Sequence, residues 1–461
     1  MTPVRTRFAP SPTGRIHLGN LRIAVFNHLF TRHHGGAFVL RIEDTDAGRT
    51  RPGALEQILD DLRWAGIEWD EGPDIGGPNG PYRQSEREAL HRTAAERLLA
   101  EGRAYRCDCS DERIEVARSD PDFQGPGCPG GCRDQRKEVG TIRFAVPDDE
   151  VEIVDAIRGE VRFHGRDVGD FVLLRADGRP TYNLAVVVDD IAMEITHVIR
   201  GAGHLSNTPK HHLLFEALGA VPPVFAHLPT VLGDDRKKLS KRADSASVGE
   251  LRDRGFHPDG VVNYLSLLGW SPGDDREVLT REELIESLTL ERVGASDTVF
   301  DPEKLLWCSE QHIQQMPLDE LVEALRPHLP EGISDTRLPL LVDALRTRLR
   351  TFDDIRDAIE LIDPPATVLA EGWGEIRREG AEGIVHEIRE ELAALEAFEA
   401  EEIGQCIRKR GKEIGARGPG LFHPVRLALM GTRSGPDMGK VMAALGREKV
   451  LARLTGPSDP P

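Results

Sequence analysis

Residues 5–46 read RTRFAPSPTGRIHLGNLRIAVFNHLFTRHHGGAFVLRIEDTD, and no other stretch restricts the possible folds as much. A strand-like run, Val4 to Ala9, enters a Pro/Gly-rich turn. His17-Leu18-Gly19-Asn20 then opens a helix with Leu21, Ala24, Val25 and Leu29 at helical spacing. Gly35-Gly36 stops that helix, and Phe38, Leu40 and Ile42 alternate as in a second strand that ends in Glu43, Asp44 and Asp46. The pattern is a β-α-β unit. In open parallel sheets ligands gather at the carboxyl ends of the strands, and the free amides at a helix N-terminus attract phosphate. His17, Gly19 and Asn20 are therefore expected beside the phosphates of a nucleotide, with Gly19 permitting close backbone approach. Taken alone, HLGN also suits a purely structural helix start.

The remainder of the chain narrows the class. Its 461 residues suggest about three domains. A hydrophobic share of 39% with 30% charged residues describes a soluble globular protein. No apolar run approaches the roughly 18 residues of a membrane helix, and the N-terminus lacks a signal peptide's apolar core, so a cytoplasmic protein is expected. The formal net charge of −19 argues against indiscriminate coating of nucleic acid, which relies on Lys and Arg. The charge is segregated, however. Gly404 to Pro461 carries 11 Lys/Arg against 4 Asp/Glu, directly after the acidic HEIREELAALEAFEAEE. A localised nucleic-acid footprint and two solvated helix faces both fit this pattern.

From Asp46 to Gly102 two amphipathic helices are expected, Gly53–Ala65 and one from Ser85 to Leu99, separated by the loop GPDIGGPNGP. Cys107-x-Cys109 follows and, across a largely polar stretch of 18 residues, Cys128-x3-Cys132. Two close pairs separated by a loop can bring four thiolates round a tetrahedral zinc ion, with disulfides as the rival in an oxidising compartment. Four protein ligands would close the site and make it structural. Cys308 and Cys406 stand alone and suit small buried apolar roles.

Strand-like runs resume at Thr141–Val146, Val161–His164 and Phe171–Arg175, with Asp177-Gly178 as a hairpin turn. The β-branched run Leu184–Val188, ending at Asp189-Asp190, and Ile195–Ile199 read as further strands. Residues from about 102 to 180 are thus expected to form an insertion between the halves of a nucleotide-binding fold. A helix follows from Ser206 or Asn207 to Gly219. Next come an apolar run, Val224–Leu232, and the basic loop Lys238-Leu239-Ser240-Lys241-Arg242, whose flexible ammonium groups could stabilise charge growing on a leaving phosphate. The last third is mostly helical. Its LRTRLRTF segment presents Arg346, Arg348 and Arg350, which suit either RNA contact or a solvated face.

In order and spacing, RFAPS, HLGN, RIED, CxC, PTYN, VIRG and KLSKR make the chain resemble glutamyl-tRNA synthetases, class I aminoacyl-tRNA synthetases, from Arg5 to Leu454. HLGN stands where the class has HIGH, with Asn20 in place of the final histidine, and KLSKR stands for KMSKS. Ala202-Gly203 replaces an acidic pair that the family usually carries.

The resemblance implies an α/β fold: a Rossmann-type catalytic domain in two halves (1–101 and 181–245) around an inserted zinc-containing acceptor-binding domain (102–180). A stem-contact linking domain (246–312) and an all-α anticodon-binding region (313–461, two subdomains split near 364) would follow. It implies ATP-dependent ligation of L-glutamate to tRNA(Glu) through glutamyl-adenylate, with tRNA(Gln) left open as a second acceptor. The enzyme would be a cytoplasmic monomer that uses ATP with Mg2+ and a structural Zn2+. It further implies catalytic roles for His17, Asn20, Lys238 and Lys241, and ATP contacts from these together with Gly19, His204 and Ser240. Glutamate contacts would come from Arg7, Ser11, Glu43, Tyr182 and Arg200, zinc ligation from Cys107, Cys109, Cys128 and Cys132, and tRNA contacts from Arg346, Arg348 and Arg350. The charge types agree: a substrate with one ammonium and two carboxylates needs an acid and one or two guanidiniums. A glutamyl-Q type enzyme would lack the long helical C-terminal third. A decayed, non-catalytic zinc-containing RNA-binding protein would not keep HLGN, RIED and KLSKR intact.

Overall fold

The computed structural model describes residues 3–45, 48, 51–118, 128–135, 137–237, 247–330 and 333–456. Two compact units emerge, one from residues 1–251 and 261–302, the other from 252–260 and 303–461.

The first unit begins with β1 (Arg5–Phe8), α1 (Leu18–His33) and β2 (Ala37–Leu40). The two strands are parallel, with Arg7 opposite Val39 and Phe8 opposite Leu40. His17 occupies the extended N-cap position of α1, and Gly35 ends the helix region at φ +61°, a left-handed conformation that suits glycine. Even polar side chains of α1 are drawn inward. Thr31 Oγ1 lies 2.6 Å from Thr6 Oγ1, and Asn27 Nδ2 donates to the Ile199 carbonyl at 2.9 Å, pinning the helix to two strands.

The crossover helices α2 (Ala54–Trp64) and α3 (Glu88–Ala100) follow, then β3 (Ala104–Cys107), α4 (Asp111–Arg118), β4 (Thr141–Phe144), β5 (Glu150–Asp155), β6 (Gly159–His164), α5 (Gly165–Val168) and β7 (Phe171–Leu174). β3, β4 and β7 make an antiparallel sheet. After α6 (Tyr182–Ala192), β8 (His197–Gly201), α7 (Thr208–Ala217) and β9 (Val224–Leu228), the order β6-β5-β9-β8 forms a second sheet, in which β8 and β9 are parallel. Asp155 of β5 pairs with Phe225 of β9, so the β5–β6 hairpin sits on the parallel sheet's edge. β1 lies alongside β8, with the Thr196 amide donating to the Arg5 carbonyl at 3.0 Å.

One expectation fails here. Leu184–Val188 is not a strand but the heart of helix α6. Every side chain from Leu184 to Asp190 is buried, so neither a two-residue nor a 3.6-residue polar period was left in the sequence to distinguish the two. Packing against α3 and α7 overrides the β-branched preference.

The second unit is helical apart from its connections. One apolar core runs through it from Ile313 to Leu454, including Leu345, Ile362, Trp373, Ile388, Val425 and Met442. Cys308 is fully buried, as its isolation suggested, whereas Cys406 is half-buried.

Candidate active site

The carboxyl ends of β1, β2 and β8 and the start of α1 surround a cavity of about 380 Å³. Its walls include Arg7 on β1 and Ser11 after it, His17 and Asn20 of HLGN, Glu43 after β2, Tyr182 at the start of α6, Arg200 at the end of β8, and His204. Gly19 lies outside this lining, and a Cβ there would meet nothing within 4 Å. Tyr182 and His204 meet each other, with Oη and Nδ1 3.1 Å apart. Lys238, Ser240 and Lys241 fall outside the described residues. The chain re-enters the described part at Ser247, which pairs antiparallel with His17, and the Val248 amide donates to the Ile16 carbonyl at 3.0 Å.

A buried ionic cluster underlies the cavity. Asp190 takes Arg7 Nε at 3.2 Å and Arg41 Nη1 at 2.6 Å, while Arg41 Nη2 stands 3.5 Å from Glu43. Arg7 and Glu43 therefore answer to different partners rather than to each other. Desolvation holds the Glu43 carboxyl above the ordinary range despite Arg41 and Arg7, which makes it receptive to an arriving cation. Desolvation also pushes the Tyr182 phenol up to about 12, keeping it a neutral donor. Next in sequence, Asp189 is engaged by Arg87 Nε at 2.6 Å, His91 Nε2 at 2.8 Å and Gln84 Nε2 at 2.9 Å. These contacts outweigh burial and keep its pKa low.

Sequence reasoning missed Asp190, Arg41 and the side chains round Arg200. A signal was available for Asp190: two carboxylates that end an unbroken apolar run have to find buried cations. Arg22 was also missed. From α1 it donates to the carbonyls of Pro229, at 2.7 Å, and Leu268, at 2.5 Å, fixing the signature helix to the segment that follows β9.

Away from the cavity, Cys107, Cys109, Cys128 and Cys132 bring their sulfurs within 4.8 Å of one another. Cys109 Sγ lies 3.8 Å from Cys128 Sγ and 3.7 Å from Cys132 Sγ, too far for disulfides. Four sulfurs about 2.3 Å from a tetrahedral zinc stand roughly 3.8 Å apart, so the donor set and spacing fit that ion. Burial alone would raise the Cys128 thiol, but the Cys132 N–H, 3.3 Å away, helps bring it down to about 7, toward the thiolate a metal requires. Arg133, next to Cys132, ties the cluster to Asp170, which also accepts from Tyr105 Oη at 2.8 Å.

In the helical unit Arg346 is half-buried and donates to the Met316 carbonyl at 2.5 Å, whereas Arg348 and Arg350 are exposed.

The catalytic-domain model of tRNA synthetases class I (E and Q) matches residues 3–307, and an anticodon binding domain model matches residues 320–456. A glutamate–tRNA ligase of Desulforudis audaxviator is 43% identical, over 98% of this chain and 96% of its own. The chain belongs to the glutamate–tRNA ligase family. The glutamate–tRNA ligase of Moorella thermoacetica is 41% identical over 98% of each chain. Among solved structures, a glutamate tRNA ligase from Elizabethkingia meningosepticum in complex with its amino acid superposes with a TM-score of 0.82 at 31% identity, covering 98% of both chains. This synthetase thus combines a class I α/β catalytic domain with an all-helical anticodon-binding region, and among its described residues no helix is long and apolar enough to cross a membrane.

Proposed function

We propose that the synthetase joins L-glutamate to tRNA(Glu) at the cavity between β1, β2 and β8. The α-carboxylate of glutamate attacks the α-phosphorus of ATP, giving glutamyl-adenylate and pyrophosphate. The terminal adenosine hydroxyl of the tRNA then attacks the acyl carbon and releases AMP. Such chemistry needs alignment and charge stabilisation rather than a protein nucleophile. What supports the reading most is that residues from RFAPS, HLGN, RIED, PTYN and VIRG line one cavity.

In this reading Glu43 receives the substrate ammonium, Arg7 and Arg200 its carboxylates, and Ser11 and Tyr182 complete the amino-acid pocket. His17, Gly19, Asn20 and His204 lie toward the phosphates, and Lys238, Ser240 and Lys241 meet the leaving pyrophosphate. The pairing of Ser247, six positions after Lys241, with His17 supports assigning this segment to the same nucleotide. Mg2+, arriving with ATP, neutralises phosphate charge.

Zinc held by the four cysteines braces the insertion, residues 102–180, that divides the catalytic halves 1–101 and 181–245 and holds the acceptor end. Residues 246–312 contact the stem. The helical region 313–461 reads the anticodon, with subdomains meeting near 364 and with Arg348 and Arg350 better exposed for RNA than Arg346. The enzyme works as a cytoplasmic monomer.

Lys241→Ala is expected to abolish ATP–pyrophosphate exchange measured with tRNA present, with glutamate binding still measurable by calorimetry. Full exchange activity in that variant would discard the loop assignment. Charging purified tRNA(Glu) and tRNA(Gln) side by side tests the acceptor, and no charging of tRNA(Glu) by the unaltered enzyme would refute the function.

A further inference from the structure

Arg200 is buried, yet among the described residues every hydrogen bond it makes goes to a neutral group. Its Nε donates to His227 Nε2 at 3.0 Å, Nη1 meets His211 Nδ1 at 3.0 Å, and Nη2 donates to Thr208 Oγ1 at 2.8 Å and the His204 carbonyl at 3.3 Å. A guanidinium has donors only, so each of these imidazole nitrogens must carry a lone pair. The far nitrogens explain how. His227 Nδ1 lies 2.5 Å from Asp155 Oδ2, placing its proton on that side, and His211 Nε2 lies 3.0 Å from Asn183 Oδ1, placing its proton there. Desolvation lowers both imidazole pKa values, that of His211 well below the ordinary value. Asp155 is itself fixed by the amides of Ile157 and Arg158 at 3.0 and 2.9 Å. Arg7 and Arg41, in contrast, share the carboxylate of Asp190.

We propose that His211 and the Asp155–His227 pair are positioning residues that hold Arg200 through neutral acceptors, leaving its whole charge for the substrate's side-chain carboxylate and so selecting glutamate over glutamine. This rests on the reading of the cavity given above. Among the described residues three guanidiniums, Arg7, Arg41 and Arg200, face two carboxylates, Asp190 and Glu43, at the cavity. The Asp155 carboxylate stands behind His227 and does not touch Arg200, so the face turned to the substrate keeps one positive charge. Glutamate carries one net negative charge and glutamine none. A carboxylate in place of either imidazole would cancel the excess and with it the discrimination.

The test separates holding Arg200 from sparing its charge. In tRNA(Glu) aminoacylation, His227→Ala and His211→Ala should each raise KM for glutamate by about tenfold or more, with kcat and KM for ATP changed less than about threefold. His227→Gln puts an amide oxygen near the Nε2 position and His211→Asn one near Nδ1, so both should restore KM to within about threefold of the parent. His211→Asp should still orient the guanidinium but cut the kcat/KM preference for glutamate over glutamine at least tenfold. Unchanged KM in the alanine variants, or an unchanged preference in His211→Asp, overturns the proposal. Thermal melting accompanies each variant, and should the alanine variants not fold, His211→Asp decides alone. An unaltered enzyme unable to charge tRNA(Glu) would instead remove the underlying reading, a distinguishable outcome.

Discussion

Asp190→Asn is the substitution whose consequence the structure fixes best. The carboxylate is 3% exposed and serves two guanidiniums, Arg7 at 3.2 Å and the fully buried Arg41 at 2.6 Å. Asparagine keeps the shape and one oxygen acceptor but removes the charge, leaving Glu43, 3.5 Å from Arg41, as the nearest compensation. Stripping one partner from a buried ion pair costs about 3–5 kcal/mol, and the retained acceptor puts this case near the lower end, about 3 kcal/mol. That is roughly a hundredfold in the opening equilibrium. Because the chain has two units, a global melt is a poor readout. Hydrogen–deuterium exchange read peptide by peptide is better. Peptides covering β1 and β2 should exchange about a hundredfold faster, while those from the helical unit should stay as they were. Replacing the pair together, Asp190→Leu with Arg41→Met, should recover part of the loss, since two buried charges then disappear at once. Exchange of β1 and β2 within about threefold of the parent in Asp190→Asn would refute the argument that this carboxylate holds the strand ends.

Two further outcomes follow from the same structure. His28, stacked 5.9 Å from Phe38, is pushed down to about 3 by desolvation and then by Arg32 and Arg281. The unfolded imidazole titrates near 6.5, so this group's contribution is intact above that pH. It is lost progressively as pH falls toward 3, by about 1.4 kcal/mol per pH unit or about 2 kcal/mol at pH 5. In exchange measurements on the catalytic unit between pH 7 and 5, His28→Phe should show a shallower fall in protection than the parent, after correction for intrinsic exchange; identical slopes would refute the assignment. Metal analysis of the purified protein should find about one zinc per chain, lost in the Cys107→Ser/Cys132→Ser double variant, with faster exchange at 103–107 and 128–135 on chelation. A metal-free protein with equally protected segments would remove zinc as the brace.

The parts of the fold and site that were legible in the sequence are those encoded by neighbours. Gly35, the alternation after it and the HLGN spacing define β1-α1-β2, because turn chemistry and periodicity are local. The cysteine cluster was legible for the same reason. Contacts made by distant residues were not. Arg7 meets Asp190 across 183 positions and His227 meets Asp155 across 72, and no spacing rule encodes such pairs. Helix α6 was illegible for a different reason: burial on every side erased its period.

That misread helix determines how the site is held. In a strand, Asp189 and Asp190 would project to opposite faces, whereas in a helix successive side chains are about 100° apart, so both can be buried yet diverge toward different neighbours. Asp189 turns to Arg87 and His91 at the start of α3, and Asp190 turns to Arg7 on β1 and Arg41 just after β2. The same helix carries Tyr182 into the cavity from its first turn and gives Asn183 to His211, which in turn contacts Arg200. Four side chains of one helix thus set the crossover, the strand ends, the cavity wall and a guanidinium clamp. A strand of the same sequence could not present them together, so the buried apolar run Leu184–Val188 matters to the chemistry through the helical twist it sustains.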